Sequence, residues 1–104
     1  MIFIETNLFT KLLPKYLTDD EYSKLQVFLL EKPDAGNIIV GTGGLRKIRW
    51  AISNRGKRGG IRIIYYWQVA EKHIYFMTLY AKNEMSDLSA KDKKILKQLI
   101  IEEV

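Results

Sequence analysis

Residues 41–67, GTGGLRKIRWAISNRGKRGGIRIIYYW, hold two strand-like stretches separated by a turn with one Asn and three Gly. The stretches, 45–53 and 61–69, are rich in β-branched and aromatic side chains, which are typical of strands. The turn between them, 54–60, predicts a hairpin that pairs the two strands. The segment therefore predicts an antiparallel sheet at the centre of the fold.

Alternation along this hairpin predicts which face helices cover. Neighbouring residues of a strand point to opposite faces of a sheet. One face is apolar and carries Ile48, Trp50, Ile61, Ile63 and Tyr65. Since burial of apolar surface stabilises a fold, we expect helices on this face. The other face should then be open and bring together Lys47, Arg49 and Arg62.

The flanking sequence supplies the remaining elements. Thr18 with Glu21 forms a capping-box pattern, and Ser89 with Asp92 forms a weaker one. The predicted elements are a strand over 1–5, a helix from Asn7 that Pro14 breaks or kinks, helices over 19–31 and 90–103, and a strand over 73–80. In the last helix we expect Ile95, Leu96, Leu99 and Ile100 to be buried.

These elements predict one α+β domain over residues 1–104, in the order β-α-α-β-β-β-α. Its small twisted sheet has four strands and is mainly antiparallel. Two N-terminal helices pack on one face, and a C-terminal helix closes the chain. The short turn after the hairpin completes a meander of three strands.

Composition narrows the class of protein. Hydrophobic residues make up 47% and charged residues 28%, which is typical of a globular domain. The absence of cysteine excludes disulfides and thiolate metal sites, and a lone histidine gives no metal cluster. We therefore expect no metal and no cofactor. No apolar run reaches the length of a membrane span, so we expect no membrane partner and a cytoplasmic location.

The charge distribution is the strongest functional signal. Residues 35–70 contain seven Lys and Arg, including all five arginines, and no Asp or Glu. Cations clustered on a sheet face repel one another unless an anion binds there. Arginine suits phosphate oxygens, so we expect a nucleic acid to bind this face. The alternative interpretation is a solvated basic edge.

Three motifs in fixed order, GTGGLRKIR, GKRGGIRIIYY and LYAKNEMSDLS, resemble the RelE/ParE superfamily of bacterial toxins, most closely its HigB-like branch. The resemblance covers nearly the whole chain. It implies a microbial RNase-like fold and a cytoplasmic toxin of a type II toxin-antitoxin system. It further implies an mRNA interferase, a metal-independent endoribonuclease that cleaves mRNA in the ribosomal A site and so inhibits translation.

The resemblance also assigns residues. By motif, the catalytic cations are Lys47, Arg49, Arg62 and Lys82, with Glu84 as an accompanying acid or base. The residues expected to bind RNA or the ribosome are Arg46, Arg55, Lys57, Arg58 and Tyr80. Several relatives place a tyrosine where this chain has Leu88. Tyr80 or Tyr66 can substitute, although Tyr66 can equally pack in the core.

RNA supplies its own nucleophile, the 2′-OH, so cleavage needs only a base, a cation for the phosphorane and an acid. We expect Arg62 to stabilise the transition state. The implied partners are the ribosome, mRNA and a cognate antitoxin, acidic or of helix-turn-helix type. Two alternatives remain: a non-catalytic RNA- or ribosome-binding inhibitor of translation, and an inhibitor of gyrase like the ParE branch.

Overall fold

The computed structural model describes residues 1–52 and 60–103. In chain order its elements are β1 (Ile2–Glu5), α1 (Asn7–Tyr16), α2 (Asp19–Glu31), β2 (Asn37–Ile38), β3 (Leu45–Trp50), β4 (Ile61–Gln68), β5 (His73–Ala81) and α3 (Ala90–Glu103). No helix within these ranges is both long and apolar enough to span a membrane. The predicted α+β class is confirmed.

The sheet has five strands in the order β1-β5-β4-β3-β2. β1 pairs with β5 in parallel, and the other three strand pairs are antiparallel. The strand missing from the predicted set of four is β2, which is two residues long. So short a strand has no detectable alternation. The predicted meander of β3, β4 and β5 is confirmed.

Helices α1 and α2 cover one face of the sheet, as the alternation predicted. The core of this layer includes Phe9, Leu25, Leu29, Ile48, Ile61, Ile63, Tyr65 and Phe76. Trp50 is half-buried and packs against Phe28 of α2, with 5.4 Å between ring centroids. The hydrophobic effect therefore fixes the register of β3 and β4, because a slip by one residue would expose this set.

The opposite face is less open than predicted, because α3 covers part of it. Its second apolar cluster includes Leu45, Ile64, Tyr75, Met77, Tyr80, Leu88, Leu96 and Ile100. The predicted burial of Ile95 is wrong: 50% of this side chain is exposed, whereas Leu96 is buried. The apolar stripe of α3 is narrower than its composition suggests. Only the part of the face that α3 does not cover remains available for a site.

Local capping agrees with the sequence. The backbone N–H of Thr18 donates to Glu21 Oε1 at 2.8 Å, and the N–H of Glu21 donates to Thr18 Oγ1 at 3.1 Å. Ser89 and Asp92 form the equivalent reciprocal pair before α3. Pro14 does not end α1, which continues to Tyr16. It lies near the end of the helix, where its missing N–H removes one hydrogen bond.

The glycines before β3 form a turn, as predicted. This turn joins β2 to β3 and does not lead into a helix. The buried Thr42 hydroxyl donates to the carbonyl of Ile39 at 2.6 Å and accepts from the N–H of Leu45 at 3.2 Å. Gly44 has a φ of +116°, and a Cβ there would lie 3.1 Å from the Tyr66 ring. The segment therefore shapes the start of β3 and packs Tyr66.

Candidate active site

A cleft of about 300 Å³ opens on the face of the sheet opposite α1 and α2. Its lining residues are Asn37, Lys47, Arg49, Arg62, Lys82 and Ser86. The structure therefore brings together the four cations that the motifs assigned to catalysis. They come from β3, from β4 and from the turn after β5. The cleft is the natural site for a phosphate group.

Arg62 occupies the central position of this cleft. It lies on β4, where its register partners are Arg49 on β3 and Tyr80 on β5. Only 5% of Arg62 is exposed. A guanidinium group in such surroundings interacts more strongly with an anion than one in bulk water, because the local dielectric constant is lower. Because the Arg62 side chain is almost fully buried, its orientation is restricted, which suits the stabilisation of a transition state.

Gly60 brings Lys82 to the start of β4. The carbonyl of Gly60 accepts a hydrogen bond from the backbone N–H of Lys82 at 3.3 Å. Gly60 has a φ of +74°, and a Cβ there would lie 2.7 Å from the carbonyl oxygen of Trp50. Any residue with a side chain at this position would therefore push β3 away from the start of β4. The glycine keeps Lys82 close to Arg62.

The carboxylate of Asp87 lies beside these cations. Asp87 Oδ1 lies 3.4 Å from Lys47 Nζ and accepts the backbone N–H of Leu88 at 2.8 Å. The hydrogen bond from Leu88 and the nearby Lys47 ammonium lower the pKa of the Asp87 carboxyl below its ordinary value. The lack of Asp and Glu in residues 35–70 therefore does not keep carboxylates away from this face. Asp87 reaches the face from the segment between β5 and α3, far from the basic stretch in sequence.

A family profile described as the RelE toxin of the RelE / RelB toxin-antitoxin system matches residues 9–102. The chain belongs to the RelE toxin family. The predicted resemblance is thus confirmed at the level of the family. This RelE-family chain is also similar to a solved structure of the E. coli toxin RelE, a mutant with two arginine-to-alanine substitutions, in the free state. The TM-score is 0.58 at 19% identity, over 82% of this chain and 86% of that one.

Tyr80 of this RelE-family chain lies next to Arg62 but is buried under α3. Only 3% of Tyr80 is exposed, and its hydroxyl has no hydrogen-bond partner among the residues described. Burial raises the pKa of the Tyr80 hydroxyl, and the nearby Asp87 carboxylate adds to the effect. The structure therefore encloses the Tyr80 side chain, and its contact with RNA stays a prediction. Tyr66 packs against Tyr75, with 6.3 Å between ring centroids, and does not line the cleft.

Arg46 lies on the opposite face of β3 from the cleft. Its Nη1 donates to the carbonyls of Asp34 and Gly36 at 3.2 and 2.8 Å. Its guanidinium group lies 6.0 Å from the centroid of the Trp67 ring. Alternation sends Arg46 away from Lys47 and Arg49, so it does not join the cleft, and its place among the RNA-binding residues stays a prediction. Its contacts hold the loop after α2 against the sheet.

Glu84 does not line the cleft either. Burial raises the pKa of the Tyr16 hydroxyl, and a hydrogen bond to the Glu84 carboxylate raises it further. This geometry does not support the predicted acid or base role of Glu84 at the scissile phosphate. The chain turns after β5, so the strand alternation that would relate Glu84 to Lys82 ends there.

Three predicted docking residues, Arg55, Lys57 and Arg58, lie outside the described residues. Their role remains a prediction. Conversely, the sequence reading missed Asn37 and Ser86 as lining residues and Asp87 as the partner of Lys47. Asn37 belongs to the two-residue β2, and the other two lie in an irregular segment. None of these positions carries a periodic signal.

Proposed function

We propose that this RelE-family toxin is an endoribonuclease that cleaves mRNA on the ribosome. The observation that carries the proposal is the convergence of four cations on one cleft, with the nearly buried Arg62 among them. Such a cleft suits a phosphodiester whose negative charge increases during the reaction. Family membership supports the assignment to a toxin-antitoxin system.

The proposed reaction uses the 2′-OH of the RNA as nucleophile. A base removes its proton, and the oxygen attacks the adjacent phosphorus to form a phosphorane. The bond to the 5′-oxygen then breaks, and this leaving oxygen takes a proton from an acid. The products are a 2′,3′-cyclic phosphate and a 5′-hydroxyl. Proton transfer and charge stabilisation are the only tasks left to the protein, and the scheme needs no metal.

Side-chain chemistry divides these tasks. A guanidinium group stays charged and donates only, so Arg62 and Arg49 bind the phosphate oxygens. The same property excludes both arginines as proton acceptors. A lysine side chain, unlike a guanidinium group, can exchange a proton in a reaction. Lys47 and Lys82 therefore share proton transfer, and Arg62 stabilises the phosphorane.

A second candidate is a toxin that binds ribosomes and blocks translation without cutting RNA. One observation favours it: apart from the four cations, the described lining residues are Asn37 and Ser86, neither of which is a ready base. The carboxylate of Glu84 is already bonded to Tyr16. In this case the cations would only hold the RNA in place.

Incubation of the purified chain with ribosomes stalled on a defined mRNA with an empty A site separates the two candidates. Cleaved ends within the A-site codon support the endoribonuclease. Intact mRNA on a stalled ribosome contradicts it and supports the binder. Double-strand breaks in the DNA of treated cells, with intact mRNA, would instead indicate action on gyrase.

We further propose that the toxin is neutralised by a cognate antitoxin. The description of the matching family pairs toxin and antitoxin, which supports such a partner. Placement in the HigB-like branch, inferred from the motifs, favours an antitoxin of helix-turn-helix type. Co-expression of the neighbouring open reading frame should restore growth to cells that express this chain. If growth stays arrested when that protein is co-expressed, the protein is not the antitoxin of this toxin.

A further inference from the structure

The ion pair between Lys47 and Asp87 joins a cation of the cleft to a carboxylate that the proposed reaction does not use. Lys47 Nζ and Asp87 Oδ1 are 3.4 Å apart, and the side chains are 33% and 56% exposed. Charge-assisted hydrogen bonds are usually about 2.7–2.9 Å long. A long pair open to water is weak and exchanges readily.

Asp87 does not depend on Lys47 for its position. Its Oδ1 accepts the backbone N–H of Leu88 at 2.8 Å, and the side chain of Leu88 is buried under α3. Lysine, in contrast, carries its ammonium group on a flexible stem with several rotatable bonds. The carboxylate is therefore the fixed member of the pair and the ammonium group is the mobile one. Lys47 can leave Asp87 without any change in the backbone.

The other cations of the cleft give this pair a function. Lys47 shares the cleft with Arg49, Arg62 and Lys82. Without a bound anion these positive charges repel one another, and Asp87 neutralises one of them. A phosphate that enters the cleft must attract Lys47 away from the carboxylate. Asp87 therefore stabilises the free cleft and weakens its complex with a phosphate.

We propose that Asp87 competes with RNA phosphate for Lys47 and thereby sets the affinity of the cleft for RNA. The identity of the ligand rests on the proposed function, whereas the competition itself rests on the ion pair. On this account Asp87 acts on binding and not on the chemical step, because Lys47 has left the carboxylate once the phosphate is bound.

The test is fluorescence anisotropy of a single-stranded RNA oligonucleotide with 2′-O-methyl groups, which cannot be cleaved. Asp87→Asn keeps an oxygen that accepts the N–H of Leu88 and removes the charge. It should bind the RNA about 3- to 10-fold more tightly, and the dependence of log K on log salt should steepen by up to about one unit. Asp87→Glu keeps the charge and should bind like wild type.

Two further variants give the controls. Asp20→Asn removes the same charge and breaks the ion pair with Lys24 on α2, where both side chains are over 70% exposed, and should not change RNA binding. In a Lys47→Met background, Asp87→Asn should no longer tighten binding. Unchanged affinity in Asp87→Asn overturns the proposal, and so does a gain that persists without Lys47.

Cleavage of ribosome-bound mRNA under single-turnover conditions separates this proposal from the proposed function. Asp87→Asn should lower the toxin concentration that gives half the maximal rate and leave the maximal rate unchanged. A fall in the maximal rate would show that Asp87 positions Lys47 for chemistry, which overturns the proposal. If wild type does not cut mRNA but the anisotropy results hold, the endoribonuclease fails and the competition stands.

Discussion

Arg49 and Arg62 are direct register partners across β3 and β4, so their side chains project from the same face of the sheet, next to each other. Like charges directly opposite in a sheet are destabilising. A fold that keeps this pair therefore gains little stability from it. The pair is best explained by an anion that binds between the two groups.

Replacement of Arg49 should separate activity from stability. Arg49→Ala should leave the free energy of unfolding unchanged or raise it by about 0.5 kcal/mol, because it removes repulsion. Cleavage of ribosome-bound mRNA should fall at least roughly tenfold, which corresponds to about 1.4 kcal/mol. Urea denaturation and single-turnover cleavage measure the two effects.

Arg46→Ala is the matched control on the other face of β3. It removes the hydrogen bonds to the carbonyls of Asp34 and Gly36, and should destabilise the fold by about 1–3 kcal/mol. Cleavage per folded molecule should stay near the wild-type rate. A loss of activity without a loss of stability would support the predicted role of Arg46 in binding RNA.

Replacement of Tyr80 should show what its enclosed hydroxyl does to stability. A buried polar group without a partner is destabilising by about 1–3 kcal/mol, so Tyr80→Phe should stabilise the fold by up to about that amount. Tyr65→Phe is the comparison, since the Tyr65 hydroxyl donates to the Pro33 carbonyl and accepts the N–H of Gly36. This second variant should be less stable than wild type. If urea denaturation shows that both variants lose the same free energy of unfolding, the Tyr80 hydroxyl has a hydrogen-bond partner in solution.

Stability should fall in alkaline solution, and Tyr22 should account for part of the fall. Burial and the hydrogen bond to the Glu5 carboxylate raise the pKa of the Tyr22 hydroxyl well above its ordinary value of 10.0. A raised pKa gives stability that is fully present below the pKa of the unfolded chain and is lost as pH rises above it. Tyr22→Phe should therefore reduce the slope of unfolding free energy against pH, above about pH 10, by up to about 1.4 kcal/mol per unit. An unchanged slope in denaturation series from pH 8 to pH 11 would contradict this role.

The local rules of sequence predicted the parts of the fold that depend on neighbours in the chain. Alternation placed Lys47 and Arg49 on one face and Ile48 and Trp50 on the other. The same rule, applied one residue earlier, would have put Arg46 with the core-facing set. Arg46 was grouped with the RNA-binding residues by its charge and not by its face.

The features that the sequence did not predict are contacts between distant segments. The coverage of Leu45, Ile64 and Tyr80 depends on how α3 docks, and no local pattern specifies that docking. The Lys47–Asp87 pair joins residues forty positions apart. Glu84 was assigned together with Lys82 from the resemblance, and in the turn after β5 only Lys82 of the two lines the cleft.

The most direct test of the account is the rate of mRNA cleavage on stalled ribosomes by an Arg62→Gln variant. Glutamine keeps most of the length and polarity of the side chain but removes its charge, and circular dichroism can confirm that the variant folds. We expect the single-turnover rate to fall by about 10²–10³-fold, as when a group that stabilises developing charge is removed. A folded Arg62→Gln variant that cleaves at the wild-type rate would contradict the placement of the scissile phosphate in this cleft.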